Sequence, residues 1–426
     1  MSHYEIPSFK RLQEKETYTS IPQFYDYLEC IKDVFGFIVY DVETSLINKD
    51  KSIFNQDYTF VMGATHWVPP GGPIENIKIF QTAPDMKEEV TSWVCHVGHN
   101  LPFDMNVLDI DADLDTYFYW DTSIAQYLLT NQKMLYPSLQ ESCEYYGIPL
   151  KKEDKVSEMI KSGVDPTDIP KDLLEEYLRN DIDMTRELFL KQIADLNTRS
   201  VPFRNLVIQH MVWRTHTYNA SRAGIMLNIP RIEASIEKTK KEIKELEDKI
   251  ILELNRDFTD TINSNLAVSP IPTWNFDFDI SPDSPKQLSA YLYGAEITAN
   301  ANTIVGTYKT GPKKGTPKTK IEKIIVRSPS KVNKGSLTTD NTSLQTIINT
   351  HNKFLYKSLE MERVVEICEN VLKYRVLNKN ISTYFEGYSQ HADRDGKVHP
   401  QFNHTATPTG RLTCNKPNTQ NTKGDD

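Results

Sequence analysis

Over its first 195 or so residues the chain sets short β-rich apolar runs between stretches of helical spacing. Residues 35–40 read Phe-Gly-Phe-Ile-Val-Tyr, and further candidate strands cover 58–68, 74–80, 93–97 and 117–120. Between and after them, helix-like patterns cover 84–91, 122–129, 138–146 and 171–196. This alternation predicts an α/β layer built on a mixed sheet.

Beyond about residue 205 the spacing becomes that of long helices. Ile236, Ile243, Leu246, Ile250 and Leu254 recur at multiples of three to four, and Lys and Glu alternate over 237–247. A second stripe, Leu344, Ile348, Leu355, Leu359, Val364, Cys368 and Val371, predicts one helical stretch over 343–378. The two are expected to pack as an antiparallel pair with the intervening segment at the tip. A coiled-coil dimer is the competing reading.

Composition narrows the class. At 426 residues there is room for two to four domains of about 150 residues. With 38% hydrophobic and 25% charged residues, 17 Gly and 23 Pro, the chain is neither collagenous nor wholly disordered, and no run approaches about 18 apolar residues. The N-terminus has no apolar core behind positive charges, so a soluble, cytoplasmic protein is expected. Five scattered cysteines without a Cys-x-x-Cys make a disulfide framework or zinc site an unexpected outcome.

Charge is uneven. The chain carries −9 in all, but residues 309–334 hold nine Lys or Arg against Glu322, a local +8 that leaves −17 for the remainder. Gly311, Pro312, Gly315, Pro317 and Pro329 in the same stretch predict a mobile loop or hairpin. Its lysines Lys313, Lys314, Lys318 and Lys320 are candidate contacts to nucleic-acid phosphates, the alternative being a solvated insertion with no ligand.

Three places carry candidate chemistry. Asp41 and Glu43 end the first strand two residues apart, so both carboxylates lie on one face. Asn100 and Asp104 follow the fourth strand, where the next helix begins. Tyr177 and Asp181 stand four residues apart on a helix and share a face. Carboxylates gathered this way repel one another unless a cation lies among them, and hard oxygen donors without His or Cys point to two magnesium or manganese ions and phosphodiester hydrolysis. Tyr177 would orient the attacking water.

Asp41-Val42-Glu43-Thr44, Asn100-Leu101-Pro102-Phe103-Asp104 and Tyr177-Leu178-Arg179-Asn180-Asp181 resemble, in order, the three motifs of the DEDD exonuclease superfamily, tyrosine subclass. The resemblance implies an RNase H-like fold and removal of nucleotides from a 3′ end. It also implies that Asp41, Glu43, Asp104 and Asp181 are metal ligands assisted by Tyr177, that Thr44 and Asn100 contact the terminal nucleotide, and that Leu46 or Ile47 wedges against its base.

A second resemblance lies in residues 407–421, Thr-Pro-Thr-Gly-Arg-Leu-Thr-Cys-Asn-Lys-Pro-Asn-Thr-Gln-Asn, which look like the segment that opens the palm of family A DNA polymerases. It implies that Arg411, Asn418 and Gln420 touch the minor groove of primer-template duplex, where acceptors are common to all base pairs. Thr419 stands where the family usually has Leu, and Thr422-Lys423 where it has Ile-Pro. The likeness, closest to phage-type members, divides the chain into an N-terminal segment (1–29), an exonuclease domain (30–200), a mainly helical thumb with its basic loop (201–390), and the first strands of a palm (391–426). The family's later palm and fingers motifs do not occur in these 426 residues, so template-directed synthesis is expected to need a second chain or further sequence. In that case the strands around 398–407 should be left unpaired. The expected partners are a single-stranded DNA 3′ end and primer-template duplex. A free-standing RNase D-like exonuclease and a non-catalytic DNA-binding subunit are the alternatives.

Overall fold

The computed structural model describes residues 36–69, 76–114, 116–149, 155–266, 275–327, 329–332, 338–353 and 358–421. The expected segment 1–29, Lys334, Thr422 and Lys423 lie outside these residues. The chain divides into two compact units, one drawn from residues up to Leu227 and from Tyr388 onward, the other spanning Asn228–Gly387.

In the first unit, β1 (Phe37–Thr44), β2 (Phe60–Val68), β3 (Lys78–Phe80), β4 (Cys95–Gly98) and β5 (Phe118–Asp121) form a sheet in the order β3-β2-β1-β4-β5. β2 runs antiparallel to both β1 and β3, whereas β1, β4 and β5 are parallel. Helices α1 (Ala83–Thr91), α2 (Pro102–Val107), α3 (Thr122–Leu129), α4 (Leu139–Tyr145), α5 (Lys155–Lys161), α6 (Lys171–Asn197) and α7 (Val201–Ala223) surround it.

The period of two along β1 sorts its side chains into two cores. Phe37 and Val39 pack with Ile124 and Leu128 of α3, Leu178, Ile182 and Phe189 of α6, and Met211 of α7. Ile38, Tyr40 and Val42 pack on the other side with Met86 and Val90 of α1 and Met105 of α2. Each fully buried Val or Phe stabilises the unit by about 1.5–3 kcal/mol. At the end of β4, a Cβ on Gly98 would stand 2.5 Å from Leu101 Cδ2, so glycine permits the close return of the chain into α2.

After the short β6 (Ile225–Met226), the second unit opens with α8 (Ile229–Leu266), whose first turn is capped by Asn228 Oδ1 accepting from the Arg231 N–H at 3.1 Å. It continues with β7 (Asn275–Asp277), α9 (Pro285–Tyr293), β8 (Glu296–Thr307), β9 (Pro317–Arg327), α10 (Asn341–Asn352) and α11 (Leu359–Lys379). Ile250, Leu254, Phe258 and Ile262 of α8 share one core with Leu288 and Leu292 of α9, Leu344 and Ile348 of α10, and Val364, Cys368 and Val371 of α11.

One expectation changes here, and of the two expected forms of the basic segment one is found. The helix expected over 343–378 is two helices, because Ser358 accepts from the Met361 N–H at 3.2 Å and starts α11 afresh. The basic segment is a hairpin whose strands β8 and β9 pair antiparallel, with β7 completing a three-stranded sheet.

The chain returns to the first unit with β10 (Lys397–Val398), β11 (Gln401–Asn403) and β12 (Thr413–Asn415). β10 pairs with β6 and β11 with β12, so the strands expected to lack partners have them within this chain. Cys95, Cys143, Cys368 and Cys414 are buried free thiols. No helix among the described residues is long and apolar enough to cross a membrane.

Candidate functional site

The face of β1 that carries Phe37 and Val39 into the core continues as Asp41 and Glu43, so the sheet surface changes from apolar to acidic within one strand. Opposite runs α6, with Leu174, Leu178 and Ile182 buried and Tyr177 and Asp181 flanking that stripe. Asp104 enters from the first turn of α2, is 3% exposed, and accepts a hydrogen bond from the Val42 N–H at 3.2 Å. The β1 backbone and the α2 carboxylate are thereby joined directly.

The electrostatics place these groups in one field. Burial, and then the charge of Asp41, push the Asp104 carboxyl well above the usual carboxylate range; Glu43 adds to the effect and the Val42 N–H opposes it. Burial also raises the Tyr177 phenol, with Asp181, Glu43 and Asp41 acting in the same direction and a hydrogen bond with Ser157 of α5 against it. Tyr177 is therefore a protonated phenol at any working pH. The four acids are hard oxygen donors, and a divalent cation among them would relieve the repulsion acting on Asp104, so the donor set fits magnesium or manganese. Among the described residues no group of three or more His, Cys, Asp or Glu is arranged to hold a metal ion as the side chains stand. The acids share a neighbourhood rather than a closed cage.

The remaining candidates fall in several places. Thr44 is 5% exposed and its hydroxyl donates to the Ser45 carbonyl at 3.0 Å. Leu46 is exposed, its N–H bonded to Asp165 Oδ2 at 3.0 Å. Ile47 and Asn100 line a cavity of about 300 Å³ together with Phe54, Phe103, Arg214 and Lys416. Arg411, Asn418 and Gln420 are exposed on the C-terminal segment of the same unit, where Thr407 Oγ1 accepts from the Arg411 N–H and Asn418 Oδ1 from the Gln420 N–H. Lys313 and Lys314 are exposed on the turn of the β8–β9 hairpin in the other unit, and Lys318 is exposed at the start of β9; Lys320 is in β9.

Sequence reasoning missed Arg214 of α7. Its Nη2 donates to Asn100 Oδ1 at 2.7 Å, its Nη1 donates to the Phe402 carbonyl at 3.1 Å, and its Nε lies 3.4 Å from Asp121 Oδ2. Asp121 is buried at the end of β5 and receives the Asn100 N–H at 3.0 Å. Burial would raise its carboxyl, but Arg214, Ser123 and the Asn100 N–H hold it below the usual range. The one local signal was Asp121 before Thr-Ser-Ile, a helix cap, which explains its bond to the Ser123 N–H and nothing of Arg214.

The family model of DNA polymerase family A matches residues 274–424. DNA polymerase I of Borreliella burgdorferi is 24% identical over 336 residues, 76% of this chain and 28% of that protein. DNA polymerase I of Geobacillus stearothermophilus is 35% identical over 100 residues, 22% of this chain and 11% of that protein. The thermostable enzyme of Thermus aquaticus is 46% identical over 56 residues, 13% of this chain and 7% of that protein. The chain thus spans less than a third of the length of each of these relatives. The polymerase domain of Pol1 from M. smegmatis, solved with DNA primer-template and dNTP, superposes with a TM-score of 0.52 at 15% identity, over 93% of this chain and 54% of that one. Over residues 274–424, and along the relatives that align with the chain, the sequence is similar to DNA polymerase family A.

Proposed function

We propose that this chain is the 3′-5′ exonuclease and DNA-binding portion of a family A DNA polymerase, an RNase H-like proofreading domain joined to a thumb and the first strands of a palm. The observation that carries the reading is that Asp41 and Glu43 act both on the buried Asp104, which accepts from the Val42 N–H, and, together with Asp181, on Tyr177. An isolated acid pair at a strand end has a simpler explanation in solvation; four acids and a phenol from β1, α2 and α6 do not.

Asp41, Glu43, Asp104 and Asp181 would hold two magnesium or manganese ions. When bound, these supply an activated water and charge neutralisation at the leaving oxygen. Asp104 is held by the Val42 N–H so that its carboxylate faces the β1 acids. Tyr177, kept protonated, donates a hydrogen bond to the attacking water. Asn100 and Thr44 take the terminal nucleotide, and Leu46 or Ile47 lies against its base. Arg411, Asn418 and Gln420, with Lys313, Lys314, Lys318 and Lys320, would contact duplex DNA through minor groove and phosphates. The setting proposed with this substrate is the cytoplasm.

Discrimination would come from fraying: a mispaired 3′ end melts more easily and reaches the acids more often. The test compares hydrolysis of paired and mispaired primer ends on one template. Faster removal of the mispaired nucleotide is expected. Equal rates, or a preference for RNA 3′ ends over DNA, would replace proofreading with a ribonuclease reading.

A further inference from the structure

Asn100 has a positive φ of 63°, and two contacts hold it there, the bond of its N–H to Asp121 Oδ1 and that of its side-chain oxygen from Arg214 Nη2. An amide whose oxygen is engaged presents its NH2 group, two donors, to whatever lies opposite. Asn100 lines the cavity of about 300 Å³, so the orientation of its amide decides whether that wall offers donors or an acceptor.

The guanidinium that sets this orientation is itself fixed. It lies beside the buried Asp121 carboxylate, donates to the Phe402 carbonyl of β11, and its side chain is 15% exposed. A planar fork with several fixed donors can meet three partners from three separate segments at once, which an ammonium on a flexible stem cannot.

We propose that Arg214 is a positioning residue of the exonuclease site: it locks the Asn100 amide with its NH2 toward the terminal nucleotide, and through Phe402 it makes strand β11 part of that grip. The proposal rests on the exonuclease reading for the identity of the ligand, a deoxynucleotide at a single-stranded 3′ end, whose base and phosphate oxygens accept those donors. Arg214 touches neither the acids nor Tyr177 by any contact described above. Its loss weakens holding of the 3′ end and leaves the chemical step in place.

The test is a double-mutant cycle on the full chain with Arg214→Met, Asn100→Ala and the pair, using a 3′-terminated single-stranded DNA oligonucleotide. Binding is read by fluorescence anisotropy in EDTA, where no hydrolysis is needed, and kcat and KM are read with magnesium. Each single variant is expected to raise Kd and KM about 10-fold, and the double variant no more than either single one. The kcat should stay within about 2-fold. Arg214→Lys is measured alongside, because Met leaves the Asp121 carboxylate buried and unpaired. Lys keeps the charge, loses the fork, and carries the test if the Met variant does not fold. The proposal is overturned if the single effects multiply in the double variant, if kcat falls with KM unchanged, or if Arg214→Lys binds as wild type does. If the wild-type chain binds the oligonucleotide but does not hydrolyse it, the exonuclease reading fails, while the anisotropy cycle still reports the Arg214–Asn100 coupling.

Discussion

Tyr177 is half-buried beside Asp181, Glu43 and Asp41, and burial with those charges raises its phenol far above any working pH. It can act as a donor but not as a base. Tyr177→Phe keeps the ring in its packing and removes the hydroxyl, so kcat is expected to fall about 10- to 100-fold with KM nearly unchanged, measured under single-turnover conditions. His404 gives a prediction about stability. Burial lowers it from 6.5 to about 3, with Arg214 and His210 acting in the same direction and Asp121 against them, while its Nε2 shares a hydrogen bond with Thr217 Oγ1 at 2.8 Å. A group whose folded pKa is depressed contributes stability that is present above the unfolded value and lost as pH falls below it. The wild-type chain should therefore lose thermal stability between pH 6.5 and 4, and His404→Gln should flatten that part of the melting profile. The pairs Asp41 with Glu43 and Tyr177 with Asp181 were legible because period-2 and i, i+4 spacing fix local direction, whereas Asp104 was reached from its place after the fourth strand and the grouping of all five from the resemblance. Arg214 was not, since its partners Asn100 and Phe402 lie 114 and 188 residues away in sequence.

At the scale of elements, β1 through β5 and the helices α1, α3, α4 and α6 fall within a few residues of the runs that apolar spacing predicts, whereas α5 and α7 were not among them. The second unit was harder to read. Lys318, Lys320, Glu322 and Lys323 put charge where a half-buried strand would show alternating apolar positions, so β9 read as loop or hairpin. The apolar stripe of 343–378 continues across Ser358, and a stripe alone does not register a capped restart. The hairpin turn is closed by the Tyr308 N–H to Thr316 carbonyl bond at 3.0 Å and the Gly315 N–H to Tyr308 carbonyl bond at 2.9 Å, which leaves Lys313 and Lys314 exposed. If these two lysines meet phosphates, replacing both with Ala should weaken duplex binding on every sequence alike and reduce the slope of log K against log salt by about 2. Anisotropy titrations across a salt series check it; an unchanged slope would leave the hairpin as a solvated surface.

For the whole molecule, the two compact units divide at Leu227 and Gly387, and the C-terminal strands β10 to β12 belong to the unit that holds the acids. Tyr127 of α3 donates to the Thr407 carbonyl at 2.7 Å, and the Tyr136 N–H bonds the Thr405 carbonyl at 3.1 Å. The start of the segment that resembles a palm entrance, and Thr405 just before it, are thus bonded to the sheet domain, which local pattern does not reveal, because such contacts join residues about 270 to 280 positions apart. The family match at 274–424 begins in one unit and ends in the other, and it does not reach Asp41, Glu43, Asp104 or Asp181. That site is the central claim, and the most direct test is hydrolysis of 3′-terminated single-stranded DNA by the purified chain with magnesium, beside Asp41→Ala. Stepwise shortening from the 3′ end by the wild type and none by the variant is the predicted result. No hydrolysis by the wild type, or equal hydrolysis by the variant, would contradict the assignment of Asp41, Glu43, Asp104 and Asp181 as an exonuclease centre.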